Sequence, residues 1–110
     1  MDISFENNRL QKECTEKARG VKKYGPVCAR KLRARLSDLE AAESLKQMYS
    51  LPGRLHPLTE NLKGVYSLDL EHPLRLLFEP DHDPPLLLED GGIDEQAVTA
   101  IRIVAIADTH

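Results

Sequence analysis

The pattern that most constrains the fold of this chain is an apolar stripe at helical spacing near its middle. Apolar residues recur there every three or four positions, at Cys28, Leu32, Leu36, Leu39, Ala42, Leu45 and Tyr49. A helix with this periodicity buries one face, so the rest of the chain must supply an apolar surface to cover it. Pro26 suits the first turn, where its missing N–H is not needed. Leu51-Pro52-Gly53 should end the helix.

Alternating apolar and polar residues predict strands on both sides of this helix. One short strand holds Ile3 and Phe5, and a polar helix from Arg9 to about Arg19 should follow it. Three further strands are predicted at 66–71, 74–79 and 100–107. The fold class that follows is α+β, with two N-terminal helices packed on a small, mainly antiparallel sheet.

The chain length and the absence of internal repeats predict a single domain over residues 1–110. One segment does not fit the regular pattern. Residues from about 80 to 98 contain three prolines, a Gly-Gly pair and six acidic residues. We expect an acidic excursion there, with Leu86-Leu87-Leu88 packed against the body of the domain.

Charge is distributed unevenly along the chain, although the formal net charge is only −3. Residues 1–64 hold 13 Lys and Arg against 8 Asp and Glu, whereas residues 65–110 hold 2 against 10. A basic block in the first half is the candidate RNA-binding surface, because such a block neutralises phosphates. Its members are Lys22, Lys23, Arg30, Lys31, Arg33 and Arg35. The alternative is an ordinary solvated helix face.

Several classes of protein are not indicated by the sequence. No run of about 18 apolar residues predicts a membrane span, and the first residues lack the apolar stretch of a secretory signal. The four histidines are far apart, and CxxC, HExxH, GxGxxG and P-loop patterns are missing, so we expect no metal and no cofactor. Cys14 and Cys28 are expected to be core thiols, and a cytoplasmic location is the default.

Strand alternation suggests where polar groups could meet. Leu74 and Leu76 point to one face of their strand, so Arg75 points to the other. On the last strand, simple alternation places Asp108 and His110 on one face. If the helices cover the opposite face, Arg75, Asp108 and His110 share an open surface suited to a phosphodiester.

Each of these residues also has a structural interpretation without function. Arg75 could be a solvent-facing strand residue paired with Asp69 or Glu79. Asp108 could be a surface acid, and His110 could belong to a frayed terminus. His56 could be a packing residue in a loop, and the residue pair Lys63-Gly64 a turn.

Four segments in order resemble the HigB branch of the RelE/ParE toxin superfamily. They are Gly53-Arg54-Leu55-His56-Pro57-Leu58, then Leu62-Lys63-Gly64-Val65-Tyr66-Ser67-Leu68, then Pro73-Leu74-Arg75-Leu76-Leu77-Phe78-Glu79-Pro80, and Ile106-Ala107-Asp108-Thr109-His110. The resemblance implies two helices against an antiparallel sheet. It also implies a ribosome-dependent mRNA endonuclease that needs no metal, with the ribosome and mRNA as targets and a helix-turn-helix (HigA-type) antitoxin as partner.

The resemblance assigns roles to five residues. Arg75 would stabilise the pentacoordinate phosphorane, and His110 would act as base or acid. Asp108 would orient the imidazole of His110. His56 and Lys63 would contact the scissile phosphate or supply a second proton-transfer group. The basic block would bind ribosomal RNA.

Three features favour an alternative function on the same fold. Thr109 replaces the tyrosine common at this place in the family, the excursion is long and acidic, and the net charge is negative. A non-enzymatic binding protein would inhibit gyrase, as ParE-type relatives do, or would be a degenerate toxin that docks an antitoxin. A third interpretation is a small structural α+β domain that binds another protein.

Overall fold

The computed structural model describes residues 1–109, and the predicted role of His110 therefore lies outside the described residues. Ten elements follow one another along the chain. They are β1 (Asp2–Phe5), α1 (Asn8–Thr15), α2 (Lys17–Tyr24), α3 (Pro26–Ala41), a 3₁₀ helix (Leu45–Ser50), β2 (His56–Pro57), a 3₁₀ turn (Glu60–Leu62), β3 (Tyr66–Asp69), β4 (Leu74–Pro80) and β5 (Ala100–Asp108).

The first predicted helix is in fact two short helices. Asn7 caps α1, and its side chain accepts a hydrogen bond from the Leu10 amide at 2.8 Å. Glu16 then adopts an extended conformation (φ −102°, ψ 111°), which ends α1 and starts α2. The prediction of one continuous helix to Arg19 was wrong, because the chain turns at Glu16 so that α1 and α2 pack against each other and against α3.

The helix that carries the apolar stripe begins at Pro26 as predicted, but it ends at Ala41. Ala42 is extended, and the stripe continues on the 3₁₀ helix, where Leu45 and Met48 are fully buried. The expected continuous helix to Tyr49 was therefore wrong. Apolar side chains of the stripe are buried on both sides of the break, because α3 and the 3₁₀ helix each contribute some of them to the core.

The five strands form one mixed sheet in the order β1-β5-β4-β3-β2. The strand β1 runs parallel to β5, and the remaining neighbours are antiparallel. The α+β fold class with N-terminal helices on a mainly antiparallel sheet is confirmed. The short edge strand β2 was expected to be a loop, and it forms because His56 and Pro57 align with Ser67 and Tyr66 of β3.

A β-bulge alters the faces of β5. Phe78 pairs with Ile103 and Leu77 pairs with Ala105, so Val104 has no partner on β4. The extra residue reverses the alternation for the rest of β5. Asp108 consequently lies opposite Leu74, on the other face from Arg75. The expectation that Arg75 and Asp108 share a face was wrong for this reason.

The core lies between the helices and one face of the sheet. Fully buried side chains come from both layers, with Leu32 and Leu39 on α3 opposite Leu76, Phe78 and Ile101 on the sheet. Burial of such side chains is worth about 1.5–3 kcal/mol each, which makes this layer the main source of stability. In residues 1–109 no helix is long and apolar enough to cross a bilayer.

The excursion, residues 81–99, is an ordered segment that contains a short hairpin. Leu87 bridges Ile93 across a hairpin, and the Glu95 carboxylate accepts hydrogen bonds from the hydroxyls of Tyr49 (2.8 Å) and Tyr66 (2.6 Å). The expectation that the leucines pack against the body was wrong for two of the three. Leu86 is half-buried, whereas the side chains of Leu87 and Leu88 are exposed because they lie at the hairpin tip.

Candidate functional site

An open cleft of about 420 Å³ lies beside the edge of the sheet formed by β2 and β3. Its lining residues come from three separate parts of the chain, namely Arg54, Leu55, His56, Asp69 and Arg75. Two guanidinium groups and an imidazole thus border one space. This combination can bind an anion and transfer a proton.

Asp69 joins the two arginines. Its Oδ1 atom lies 3.3 Å from Nε of Arg75, and its Oδ2 atom lies 2.9 Å from Nε of Arg54. The pairing with Arg75 is a direct result of sheet register, since the two residues are opposite each other on β3 and β4. The carboxylate holds both cations at the cleft and offsets one of the two positive charges.

The two arginines differ in how firmly they are held. The Arg75 side chain is 19% exposed, and its Nη1 atom donates a hydrogen bond to Oγ1 of Thr109 at 3.2 Å. The Arg54 side chain is 81% exposed, and its backbone adopts a left-handed conformation with φ 53°. Such a conformation costs about 1–3 kcal/mol in a non-glycine residue, and strain of this kind clusters at functional sites.

His56 lies on β2 opposite Ser67 and is exposed at the cleft. The sequence predicted His56 and Arg75 as site residues, and the structure brings these two to the same cleft. Asp69 was predicted only as a possible ion-pair partner of Arg75, and the structure confirms that pair, whereas Arg54 had no assigned chemical role. Arg54 stands inside the Gly53–Leu58 segment, but its strained backbone and its contact with Asp69 depend on the path of β2 beside β3.

The remaining predicted site residues lie elsewhere. Lys63 lines a different cavity of about 500 Å³, together with Tyr66 and Glu95. Asp108 lies on the face that carries Leu74, as described above. His110 lies outside the described residues.

The basic block is only partly exposed. Lys22 and Lys23 on α2 are exposed, as are Arg30 and Lys31 on α3. The other two members are half-buried: Arg35 pairs with Asp38 at 3.2 Å, and Arg33 lines a cavity with Phe5 and Leu36. Four of the six predicted RNA-binding side chains are therefore exposed to a polyanion.

The cysteines have the properties of core residues. Burial, with a smaller contribution from the charge of Glu13, raises the pKa of the Cys14 thiol to about 12. Burial also raises the pKa of Cys28. Both thiols are therefore protonated near neutral pH, which disfavours nucleophilic attack. Among residues 1–109, no three His, Cys, Asp or Glu side chains are close enough to bind one metal ion.

Comparison with known proteins gives no match to a family model and no match to a curated protein sequence. Solved structures do match. The YoeB/ParE toxin from Agrobacterium tumefaciens is similar over 100% of both chains, with a TM-score of 0.62 at 7% identity. The chain has the YoeB/ParE toxin fold.

YoeB from Staphylococcus aureus shares this fold. In its complex with YefM it matches 100% of this chain and 97% of its own length, with a TM-score of 0.59 at 16% identity. The S. aureus YoeB dimer gives a TM-score of 0.56 at 17% identity over the same shares. These similarities concern the fold alone, and membership of the RelE/ParE superfamily and of its HigB branch stays a prediction.

Proposed function

We propose that this chain is the toxin of a type II toxin–antitoxin pair and cleaves mRNA on the ribosome. The main support for the proposal is the composition of one cleft. On a YoeB/ParE fold, Arg54, His56 and Arg75 line a single open cleft. A phosphodiester linkage is an anion, and a cleft bordered by two guanidinium groups can bind it.

The reaction that fits these groups is transesterification by the ribose 2′-OH, as the family resemblance implies. The 2′ oxygen forms a bond to phosphorus, the bond from phosphorus to the 5′ oxygen breaks, and the products are a 2′,3′-cyclic phosphate and a 5′-OH. One group must take the 2′-OH proton, and another must protonate the leaving oxygen. Cations must stabilise the charge that develops on the phosphorane.

The cleft supplies part of this set. The Arg75 guanidinium, held by Asp69 and Thr109, is suited to contact the phosphorane oxygens. Arg54, which is largely exposed, is suited to bind a neighbouring phosphate oxygen. The His56 imidazole serves as base or acid, and His110 stays the predicted second proton-transfer group. Lys63 would reach the RNA on the flank of the site, and the role of Asp108 in orienting His110 stays a prediction.

The partner that we propose is an antitoxin. The similar S. aureus YoeB is solved in complex with YefM, which is a precedent for such a pair on this fold. The resemblance in sequence favours a helix-turn-helix antitoxin of the HigA type. Ribosomal RNA would contact the exposed members of the basic block.

A second candidate function is a non-enzymatic binding protein that inhibits gyrase or serves as a degenerate toxin. Two observations favour it. Asp69 already occupies Nε of both arginines, and the excursion adds six acidic residues to the half of the chain that carries Arg75. Both features reduce the attraction of RNA to the cleft.

The test is to express the chain alone and map mRNA ends in cells and on translating ribosomes. We expect Arg75→Ala, His56→Ala and His110→Ala each to lower the cleavage rate by about a hundredfold or more, since each removes a transition-state or proton-transfer group. Arg102→Ala is the matched control, because this arginine pairs with Glu6 and Glu79 outside the cleft.

Two outcomes would contradict the nuclease. Intact mRNA together with arrested DNA supercoiling would support the gyrase inhibitor. Equal cleavage by the wild type and all three cleft variants would remove these residues from the chemistry.

A further inference from the structure

A second cleft, of about 500 Å³, lies between the loop after β2 and the tip of the excursion. One wall is formed by Pro57, Leu58 and Val65, and the opposite wall by Gly92 and Ile93. This loop–excursion cleft contains neither arginine of the site above, nor His56. It is therefore separate from the candidate site.

Exposed apolar side chains surround this cleft. Among residues 1–109 the large apolar side chains with high exposure are Tyr49 (47%), Leu62 (38%), Leu87 (55%) and Leu88 (50%). Each of the four is adjacent in sequence, bridged or hydrogen-bonded to a residue that lines the cleft. Leu62 precedes Lys63, Leu87 bridges Ile93, the Leu88 amide donates to the Gly92 carbonyl at 2.7 Å, and the Tyr49 hydroxyl donates to Glu95.

The concentration of these side chains in one place is what distinguishes the surface. Single exposed apolar residues scattered over a protein need no explanation, whereas a contiguous apolar patch marks an interaction site. Here a folded hairpin presents two leucines beside a cavity. Within residues 1–109, the large apolar side chains with high exposure all lie on segments that border this cleft.

The patch is held in a fixed shape before any partner arrives. The Glu95 carboxylate accepts hydrogen bonds from Tyr49 and Tyr66, and the backbone amides of Leu45 and Lys46 donate to the carbonyls of Val98 (3.0 Å) and Glu95 (3.1 Å). Nε2 of His82 accepts from the amides of Thr99 (3.1 Å) and Ala100 (3.2 Å) at the base of the excursion. A preorganised surface loses little conformational entropy on binding.

The charge around the patch selects the partner. Residues 81–101 contain six acidic residues and no Lys or Arg, and Lys63 is the one cation among the residues that line the cleft. An apolar patch inside a negative field attracts a segment that combines apolar and positively charged side chains.

We propose that the loop–excursion cleft and its leucine rim bind a basic amphipathic segment of a partner protein. The leucines of the patch would contact the apolar side chains of that segment. The acidic residues of the excursion would pair with its lysines and arginines. The two clefts share no lining residue, although Lys63, which we propose to reach the RNA, lines the loop–excursion cleft.

The test uses the full chain and synthetic peptides. The probe is a 16-residue amphipathic peptide of leucine and lysine, of about four helical turns. Its controls are the same peptide with glutamate for lysine and a scrambled peptide of equal composition. Binding is measured by fluorescence anisotropy, and the surface is located by NMR shift changes. Of the three peptides, we expect only the basic amphipathic one to bind. Its NMR chemical-shift changes should be confined to residues 49, 58–66 and 87–95.

Matched variants separate the apolar contribution from the charge. Leu87→Ser with Leu88→Ser should weaken binding by about tenfold or more, as expected when central apolar anchors are lost. Glu89→Lys should weaken binding and flatten its salt dependence. Glu40→Lys, an equal charge change on α3, should leave affinity unchanged. Cleavage of RNA should be the same in all of these variants as in the wild type.

Other outcomes would overturn the proposal. Equal binding of the three peptides, or shifts spread over the molecule, would show that the patch has no selectivity for a basic amphipathic segment. Concentration-dependent dimers in sedimentation that disappear with the leucine double variant would assign the patch to a second copy of the chain.

Discussion

Asp69 decides how much positive charge the candidate site presents. It contacts Nε of Arg54 and of Arg75, so its negative charge offsets part of the positive charge of the two arginines. Its side chain is 35% exposed, and exposed ion pairs of this kind contribute only about 0–1 kcal/mol to stability. Its larger effect is therefore on the electrostatics of the cleft.

We predict that Asp69→Asn makes the chain bind RNA more tightly. The substitution keeps the shape of the side chain but removes the negative charge that offsets the arginines. We expect the affinity for a short RNA oligonucleotide to rise about three- to tenfold at low salt, with a steeper salt dependence. Anisotropy titrations at several salt concentrations measure both quantities.

Asp2→Asn is the control for this experiment, because Asp2 is exposed on β1 at the other edge of the sheet. An equal gain in both variants would attribute the effect to net charge alone. Weaker binding by Asp69→Asn would show that the carboxylate matters for holding the arginines rather than for offsetting their charge.

At the scale of elements, two local irregularities position the chain around the core. The bulge at Val104 places Ala107, and not Asp108, beside Arg75. The break at Glu16 folds α2 back on α1, and Gly20 makes that close approach possible. A Cβ atom at Gly20 would lie 2.8 Å from the carbonyl oxygen of Glu13, which is closer than real Cβ contacts allow.

This geometry predicts that Gly20→Ala destabilises the protein. Glycine to alanine in a helix normally gains about 1 kcal/mol, but here the new methyl group meets backbone that cannot move cheaply. We expect a net loss of about 1–2 kcal/mol, since overpacking costs about 1–3 kcal/mol. Chemical denaturation measures the change.

Ser37→Ala on the exposed face of α3 is the matched control, and it should be neutral or slightly stabilising. If Gly20→Ala were as stable as this control, α1 and α2 would be able to separate at no cost, and the close packing of the two helices would not contribute to stability.

At the scale of the whole molecule, several weak acids with raised pKa values make stability depend on alkaline pH. Burial, with help from the hydrogen bond to Glu95, raises the pKa of Tyr49 to about 12. The pKa of Cys14 is raised to about 12 as well, and burial raises the pKa values of Tyr24 and Tyr66. In the unfolded chain these groups lose their protons nearer pH 9 to 10.

Between about pH 9 and 12 the unfolded state therefore holds fewer protons than the folded state, and rising pH favours unfolding. We expect the urea midpoint to be level up to about pH 8.5 and to fall steadily above it. Tyr49→Phe should reduce the slope, because it removes one of the titrating groups. A midpoint that stays constant or rises to pH 11 would contradict this account.

The two halves of the chain also differ in charge at this scale. The helices contain the exposed residues Lys22, Lys23, Arg30 and Lys31. The excursion, in contrast, contains acidic residues and no Lys or Arg. A polyanion and a basic protein segment would consequently be drawn to different parts of the surface. The two proposed interactions are thus compatible in one molecule.

Periodicity in the sequence was enough to predict the fold class, because it reports directly which side chains must leave water. The apolar residues at helical spacing from Cys28 onward predicted a helix that packs on another layer. The alternation of apolar and polar residues at 66–71 and 74–79 predicted two strands of a mainly antiparallel sheet. Residues 100–107 were also predicted to be a strand. The breaks at Glu16 and Ala42 were not predictable, since helical propensity and apolar spacing both continue through them.

The candidate site was decided by tertiary structure. Arg75 and His56 could be proposed from the sequence, but their meeting depends on β2 pairing with β3, a contact between distant residues. The bulge at Val104 placed the Asp108 side chain on the face of the sheet opposite to the one predicted, because one unpaired residue shifts every later side chain to the other face. Likewise, the contact of Asp69 with Arg54 exists only where the strained backbone of Arg54 passes the edge of the sheet.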